Sequence, residues 1–356
     1  MTTGAGKVEA AGVTPEPAAP SVAEAIERLA AGESLDETFA EALFAEAVAG
    51  RMAEVQLAGL LVALKAKGEA VPEIIGAARA LRAAAEPFPR PSYLFADTAG
   101  TGGDRSGTIN VSTAVAFVAA ACGLPVVKHG NRSASSRCGS ADVLEQLGAR
   151  IDLPPERSRQ VLDTAGICFL FAPQYHPAMR HAAPVRKALG VRTVFNMLGP
   201  CLNPAAPPVQ IVGVAEPRLV GPIAEALLML GCARALVVHG AGLDEIALHA
   251  PTDAARVTEG RIERMMIVPE DAGLGSAPRE ALAGGDAQEN AQRLRALLSG
   301  AGRAAERNIV AINTGALLMI AGLADDLRSG TEAALAALAG GRPLERLDAF
   351  IEASHA

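Results

Sequence analysis

The chain has no tryptophan and two tyrosines in 356 residues, and aromatic side chains make up 3% of it. Proteins that hold single-stranded nucleic acid stack bases on aromatic faces within basic grooves. Aromatic scarcity and a net charge of −7 therefore argue against that role. Cysteine is sparse as well. Cys122, Cys138, Cys168, Cys201 and Cys232 are widely spaced, with no Cys-x-x-Cys pair and no Cys/His cluster of metal-ligand spacing, and are expected to be reduced thiols of a cytoplasmic protein. No apolar run reaches the ~18 residues that span a bilayer. The longest, Ala114 to Val127, is broken by Gly123 and Pro125, so no membrane role is expected. Residues 1–20, rich in Ala, Pro, Gly and Thr, lack the apolar segment of a signal peptide and are expected to form a flexible tail.

What is present is a chain that is 50% apolar, enough for a substantial core and, at this length, about two domains. From Ser21 to Phe88 the pattern is helical. Ser34-Leu35-Asp36-Glu37 has capping-box form, Phe39, Leu43, Phe44, Ala47 and Val48 recur at helical spacing, and further helical runs follow from Glu54 to Lys67 and after Pro72. Pro87-Phe88-Pro89 closes the region. After Pro91 short β-like runs alternate with helical stretches, which predicts an α/β fold with a largely parallel sheet. The strands are expected at Leu94–Ala96, Val126–Lys128, Cys168–Phe171, Val209–Val214 and Leu236–Val238, with a hairpin from Arg256 to Glu263. Helices are expected at Thr113–Ala121, Pro155–Ala165 and Leu219–Leu230, and later at Asp286–Leu298, Val310–Ile320 and Thr331–Ala339.

Three loops at the ends of β-like runs carry oxygen and phosphate chemistry. Asp97-Thr98-Ala99-Gly100-Thr101-Gly102-Gly103-Asp104 precedes Thr108-Ile109-Asn110-Val111-Ser112-Thr113, which opens an apolar helix. Its glycines let backbone approach an oxygen-rich ligand, and the helix offers its positive end. The motif is neither a Walker loop nor a dinucleotide fingerprint, because Asp104 follows Gly103 where Lys-Ser/Thr would stand and no G-x-G-x-x-G occurs with an acid one strand later. Lys128-His129-Gly130-Asn131-Arg132-Ser133-Ala134-Ser135-Ser136-Arg137-Cys138-Gly139-Ser140 gathers cations, hydroxyls and glycines between a strand and a helix, as a phosphate cradle does, although a polar surface turn is the plain alternative. Leu236 to Glu245 is a strand ending in a glycine turn with Asp244 and Glu245 adjacent. That pair suits Mg²⁺ or is a solvated corner. A further stretch, Phe171 to Gly190, holds His176, Arg180, His181 and Arg186. His181 and Arg180 would serve as ordinary surface residues on a helix, a lone histidine being more often structural, whereas the Arg186 guanidinium would suit a substrate carboxylate.

Taken together, Gly100-Thr101-Gly102-Gly103-Asp104, Asn110-Val111-Ser112-Thr113, Lys128-His129-Gly130-Asn131-Arg132, His176-Pro177-Ala178-Met179-Arg180-His181, Arg192-Thr193-Val194-Phe195-Asn196-Met197-Leu198-Gly199-Pro200 and Gly242-Leu243-Asp244-Glu245 resemble the anthranilate phosphoribosyltransferases of tryptophan biosynthesis, in that family's order over roughly Ser21 to Ile351. The resemblance implies a helical domain of residues 21–89, joined by helices from about 174–196. It implies an α/β domain of residues 90–173 and 197–356, substrates at the hinge, and a homodimer through the helical domain. It also implies that phosphoribosyl pyrophosphate (PRPP) is held by Gly100, Gly103, Asp104, Thr108, Asn110, Val111, Ser112, Thr113, by Lys128 through Ser136 and by Ser140. Anthranilate would meet Gly100, Asn131 and Arg186, with His129 and His176 lining its route, and Mg²⁺ would meet Ser112, Asp244 and Glu245. No side chain is implied as a nucleophile, since the anthranilate amine attacks C1 of the ribose and pyrophosphate leaves, with Lys128 and Mg²⁺ offsetting the charge that develops. Arg105, Ile109, Ala247 and Ala272 stand where the family more often has Gly, Phe, Ser and Phe. A pyrimidine nucleoside phosphorylase shares the fold but uses free phosphate and lacks the acidic pair. A nucleic-acid-binding relative would need a basic stripe, which this acidic chain lacks.

Overall fold

The structure is a computed structural model that describes residues 21–133 and 137–356. Four helices come first, α1 (Val22–Ala30), α2 (Glu37–Val48), α3 (Glu54–Lys67) and α4 (Val71–Ala83). Ser21 caps α1 by accepting from the Glu24 N–H at 3.2 Å, and Asp36 caps α2 by accepting from the Phe39 N–H at 2.9 Å. The capping box expected at Ser34 is thus corrected to a cap at Asp36, whose carboxylate meets the third N–H of the helix. Glu73 on α4 is fully buried and closes two turns at once. Its oxygens accept from the Leu35 N–H at 2.9 Å and the Ala70 N–H at 2.7 Å, and the Lys67 ammonium lies 3.1 Å away.

The remainder forms a sheet with helices on its faces. In chain order these elements are β1 (Ala96–Gly100), α5 (Val111–Ala121), β2 (Val126–Gly130), α6 (Ser140–Gln146), α7 (Pro155–Ala165), β3 (Ile167–Phe171), α8 (Ala172–Tyr175) and α9 (Ala183–Leu189). Then come β4 (Val209–Gly213), α10 (Val220–Met229), β5 (Arg234–His239), β6 (Thr252–Thr258), β7 (Arg261–Ile267), α11 (Ala287–Leu298), α12 (Ala304–Ala321), α13 (Leu327–Ala339) and α14 (Arg342–His355). The strand order is β3-β2-β1-β4-β5-β6-β7, parallel from β3 to β5, with β6 and β7 added as an antiparallel hairpin. The expected first strand, Leu94–Ala96, is corrected to Ala96–Gly100. Its inner residues Asp97 and Thr98 are polar yet 1% exposed, which hid the strand, while Leu94 is 42% exposed.

The chain runs from β1 outward through β2 and β3, then returns to lay β4 and β5 on the other side of β1. The order reverses between β1 and β4, and ligands of open α/β sheets bind outside the carboxyl ends of strands at such a reversal. Two apolar cores flank the sheet. One gathers α5, α12 and α14 against one face. The other runs from α1–α4 through Ala182, Val185 and Leu198 to α10 and the opposite face of β4 and β5. Within it α9 packs on α3, and the turn Pro177–His181 on α2. Arg82 of α4 reinforces this junction, its Nε donating to the Cys201 carbonyl at 2.5 Å and Nη1 to that of Leu230 at 3.2 Å.

Replacing Glu73 by Ala would leave the buried Lys67 ammonium unpaired and two backbone N–H groups unsatisfied. A loss of about 3–5 kcal/mol is expected, read as a lower urea midpoint and melting temperature. An unchanged midpoint would refute the clamp.

Candidate active site

A cleft of about 660 Å³ opens at the reversal point, and every described residue expected at the site lines it. It collects Gly100, Gly103, Asp104, Thr108, Asn110, Val111, Ser112 and Thr113 from the first loop and α5. From the second loop come Lys128, His129, Gly130, Asn131, Arg132, Ser133 and Ser140, and from the other elements His176, Arg186, Asp244 and Glu245. Ala134, Ser135 and Ser136 lie outside the described residues. His181 is not part of the lining. It turns toward the helices, where a Cβ on Gly50 would come 2.7 Å from its Nδ1.

Glycine at the strand ends makes the site possible. Gly100 and Gly213 are partners in the β1–β4 register. A Cβ on Gly213 would overlap the Asp244 backbone, and one on Gly100 would lie 2.5 Å from Asp244 Oδ2. The β5 loop therefore drops onto the ends of β1 and β4 only because neither carries a side chain. Asp244 is thereby pressed against Asp104, its N–H pointing to Asp104 Oδ2 at 3.4 Å, and its Oδ2 accepts from the Gly102 N–H at 3.1 Å. Burial, and then Asp104, push the Asp244 carboxyl up to about 7. Burial and Asp244 likewise hold Glu245 well above the carboxylate range, with Lys128 opposing them. Both acidic side chains are half-buried on the cleft wall.

Lys128 lies deeper than a loop cation would. It is 3% exposed, at the third position of β2, and its Nζ donates to the Thr98 carbonyl at 2.5 Å and Ser112 Oγ at 3.2 Å. Burial lowers its pKa, against the pull of Asp97, Glu245 and Asp244. Below it Asp97 accepts from Asn203 Nδ2 at 2.9 Å and the His129 N–H at 3.3 Å. Asn203 gave no sequence signal, being a lone amide in a loop. Arg132 is also committed, its Nη2 donating to Glu145 at 2.8 Å and its guanidinium 5.4 Å from the Phe171 ring centre. Asp142 of α6 ties the loop by accepting from the Ser133 and Gly139 N–H groups at 3.1 and 2.8 Å.

The opposite wall comes from the segment between β3 and β4. Arg186 of α9 sits 5.4 Å from the Phe195 ring centre and pairs with no carboxylate among the described residues. A half-buried guanidinium without an anion is a ready receptor for one. His129 and His176 pack edge to face with ring centres 5.1 Å apart. Burial, with each other's proximity and that of Lys128, holds His129 down at about 3, and burial above all holds His176 at about 4. Both rings are therefore neutral at physiological pH, and the Nε2 of each has no hydrogen-bond partner.

A histidine with depressed pKa stabilises the fold above its unfolded pKa near 6.5, and that contribution is lost as pH falls toward the folded value. Wild-type protein is thus expected to lose more stability between pH 6.5 and 4.5 than a His176→Phe variant, by on the order of 2 kcal/mol. Urea titrations at the two pH values measure this, and parallel losses would sink the assignment.

With this geometry in hand, comparison with known proteins is specific. Residues 23–85 match the family model for the helical bundle domain of a glycosyl transferase family, and residues 92–344 match that for its a/b domain. The chain is 59% identical to the anthranilate phosphoribosyltransferase of Sorangium cellulosum over 92% of its own length and 94% of that protein. It superposes on the crystal structure of the Thermus thermophilus anthranilate phosphoribosyltransferase with a TM-score of 0.88 at 45% identity, covering 93% of this chain and 99% of that one. It also superposes on the Saccharomyces cerevisiae enzyme in complex with PRPP and Mg with a TM-score of 0.86 at 25% identity, covering 94% and 98%. The chain belongs to the anthranilate phosphoribosyltransferase family.

Proposed function

We propose that this chain transfers the phosphoribosyl group of PRPP to the amine of anthranilate, giving N-(5-phosphoribosyl)anthranilate and pyrophosphate for tryptophan biosynthesis. The observation that carries this reading is the pairing of opposite walls in one cleft. Glycine loops and an acidic pair stand on the sheet side, and an Arg186 without a carboxylate stands on the other. The helical part, residues 21–89 with 174–196, and the α/β part, residues 90–173 and 197–356, then act as the two jaws.

Mg²⁺ fits the donor set. Asp244 and Glu245 are crowded oxygen donors whose carboxyl pKa values are raised by burial and then by neighbouring acids, a repulsion that a cation would relieve. Among the described residues no three acidic, histidine or cysteine side chains converge to hold a metal by themselves. That suits an ion that keeps phosphate and water ligands, with Ser112, Asp244 and Glu245 as the residues that would hold it. When bound there, the ion would supply positive charge against the charge that develops on pyrophosphate. The yeast relative solved with PRPP and Mg supports this assignment.

The protein's own contribution is position and charge. Arg186 would grip the anthranilate carboxylate bidentately, with Asn131 and Gly100 beside the acceptor and neutral His129 and His176 along its route. Lys128 would oppose the growing negative charge from below. No side-chain nucleophile is needed. Val55 and Val62, 79% and 46% exposed on the outer face of α3, support a homodimer through the helical part. Free cysteines throughout support a cytoplasmic location. Among the described residues no helix is long and apolar enough to cross a membrane, and the acidic chain suits small-molecule partners better than nucleic acid.

Mixed with PRPP, Mg²⁺ and anthranilate, the protein is expected to consume anthranilate fluorescence in a PRPP-dependent manner, and no such loss would overturn the reading. The paired change Asp244→Asn and Glu245→Gln should raise the Mg²⁺ concentration needed for half-maximal rate, whereas an unchanged dependence would refute the metal assignment. Arg186→Ala should raise the KM for anthranilate about tenfold or more while that for PRPP stays within about twofold. Equal effects on both would exclude the carboxylate role.

A further inference from the structure

Arg192 was no part of the site expected from the sequence, yet it reaches across the cleft. It follows α9, on the stretch between the left-handed Gly190 and a turn in which the Thr193 N–H donates to Asn196 Oδ1 at 2.9 Å. Its Nη1 donates to the Gly102 carbonyl at 2.9 Å, and it forms no ion pair among the described residues. A Cβ on Gly103 would overlap the guanidinium and displace it, and the φ of +80° there favours glycine.

The same residue is gripped from its other side. The Gly102 N–H donates to Asp244 Oδ2 at 3.1 Å, and Thr101 is anchored on β4 through its N–H to the Gly213 carbonyl at 2.9 Å. Gly102 thus lies between an acid of the α/β part and a cation of the returning helical segment. Glycine has the widest backbone freedom, so Gly102 and Gly103 in succession, with φ of +58° and +80°, would hold one form poorly without such a grip.

We propose that Arg192 is a positioning residue for the phosphoribosyl donor, clasping Gly102 so that the turn from Gly102 to Asp104 keeps the form that receives the pyrophosphate. Arg186 and Arg192 leave opposite ends of one short segment, so the acceptor's receptor and the donor loop's clasp are mechanically joined. The proposal rests on the reading of the glycine loop as the donor site.

Steady-state kinetics of wild type, Arg192→Ala, Arg192→Gln and Arg192→Lys test it, with a melting curve for each. Arg192→Ala is expected to raise the KM for PRPP about tenfold or more, the loss of a charge-assisted hydrogen bond, and to leave the KM for anthranilate within about twofold. Arg192→Lys, whose ammonium can still meet the Gly102 carbonyl, should return the KM for PRPP to within about threefold of wild type. An unchanged KM for PRPP, equal shifts for both substrates, or a Lys variant no better than Ala would overturn the proposal. Should the Ala variant not fold, the comparison of Lys with Gln decides in the same way, Gln being expected to show the raised KM. Failure of the donor-site reading itself is distinct, because wild-type protein would then show no PRPP-dependent turnover.

Discussion

The site depends on one buried ammonium. Lys128 stands between Asp97 beneath the sheet ends and the Asp244–Glu245 pair above them, and an isolated charge at that depth would be prohibitive. The acids and the lysine make one another tolerable. Asp97 in turn needs Asn203 and the His129 N–H, so the network reaches from β1 and β2 into the loop before β4. Strand ends, loop path and electrostatic field at the reversal point are parts of a single arrangement. Removing Lys128 would leave the buried Asp97 without its neighbouring cation.

Most of the secondary structure was legible because apolar periodicity was clean. The helix from Pro155 to Ala165 was readable from end to end, with proline at its first turn and Gly166 in left-handed conformation after it. The misplaced first strand shows where periodicity fails. Asp97 and Thr98 are read as loop residues until the partners of their side chains, Asn203 and the Ser112 carbonyl, are seen to satisfy them. Ser34 offered a plausible cap, but the first turn of α2 formed on Asp36, and local sequence alone does not choose between two caps two residues apart.

The site was legible as motifs and not as roles. Glycines and acids announced their chemistry by type, and all the described ones meet in one cleft. What the sequence hid was how the charges are shared. Arg132 turns toward α6, and Lys128 lies under the acidic pair instead of in an open loop. Asp104 belongs with Asp244, and Arg192 crosses to Gly102. Each of these is a contact between residues far apart in the chain, which only the fold brings together.

The second apolar core has a bearing on how the molecule is made. Its members come from residues 25–81, again from 182–202, and then from 212–257. The four N-terminal helices can pack on one another, α2 on α4 and α1 on α3, but the faces that meet residues 182–202 stay open while more than a hundred further residues are synthesised. Closing so long a loop costs entropy that no local contact offsets at that stage. During translation α1–α4 would keep an apolar face open to chaperones and to self-association until the segment through Leu202 arrives to cover it.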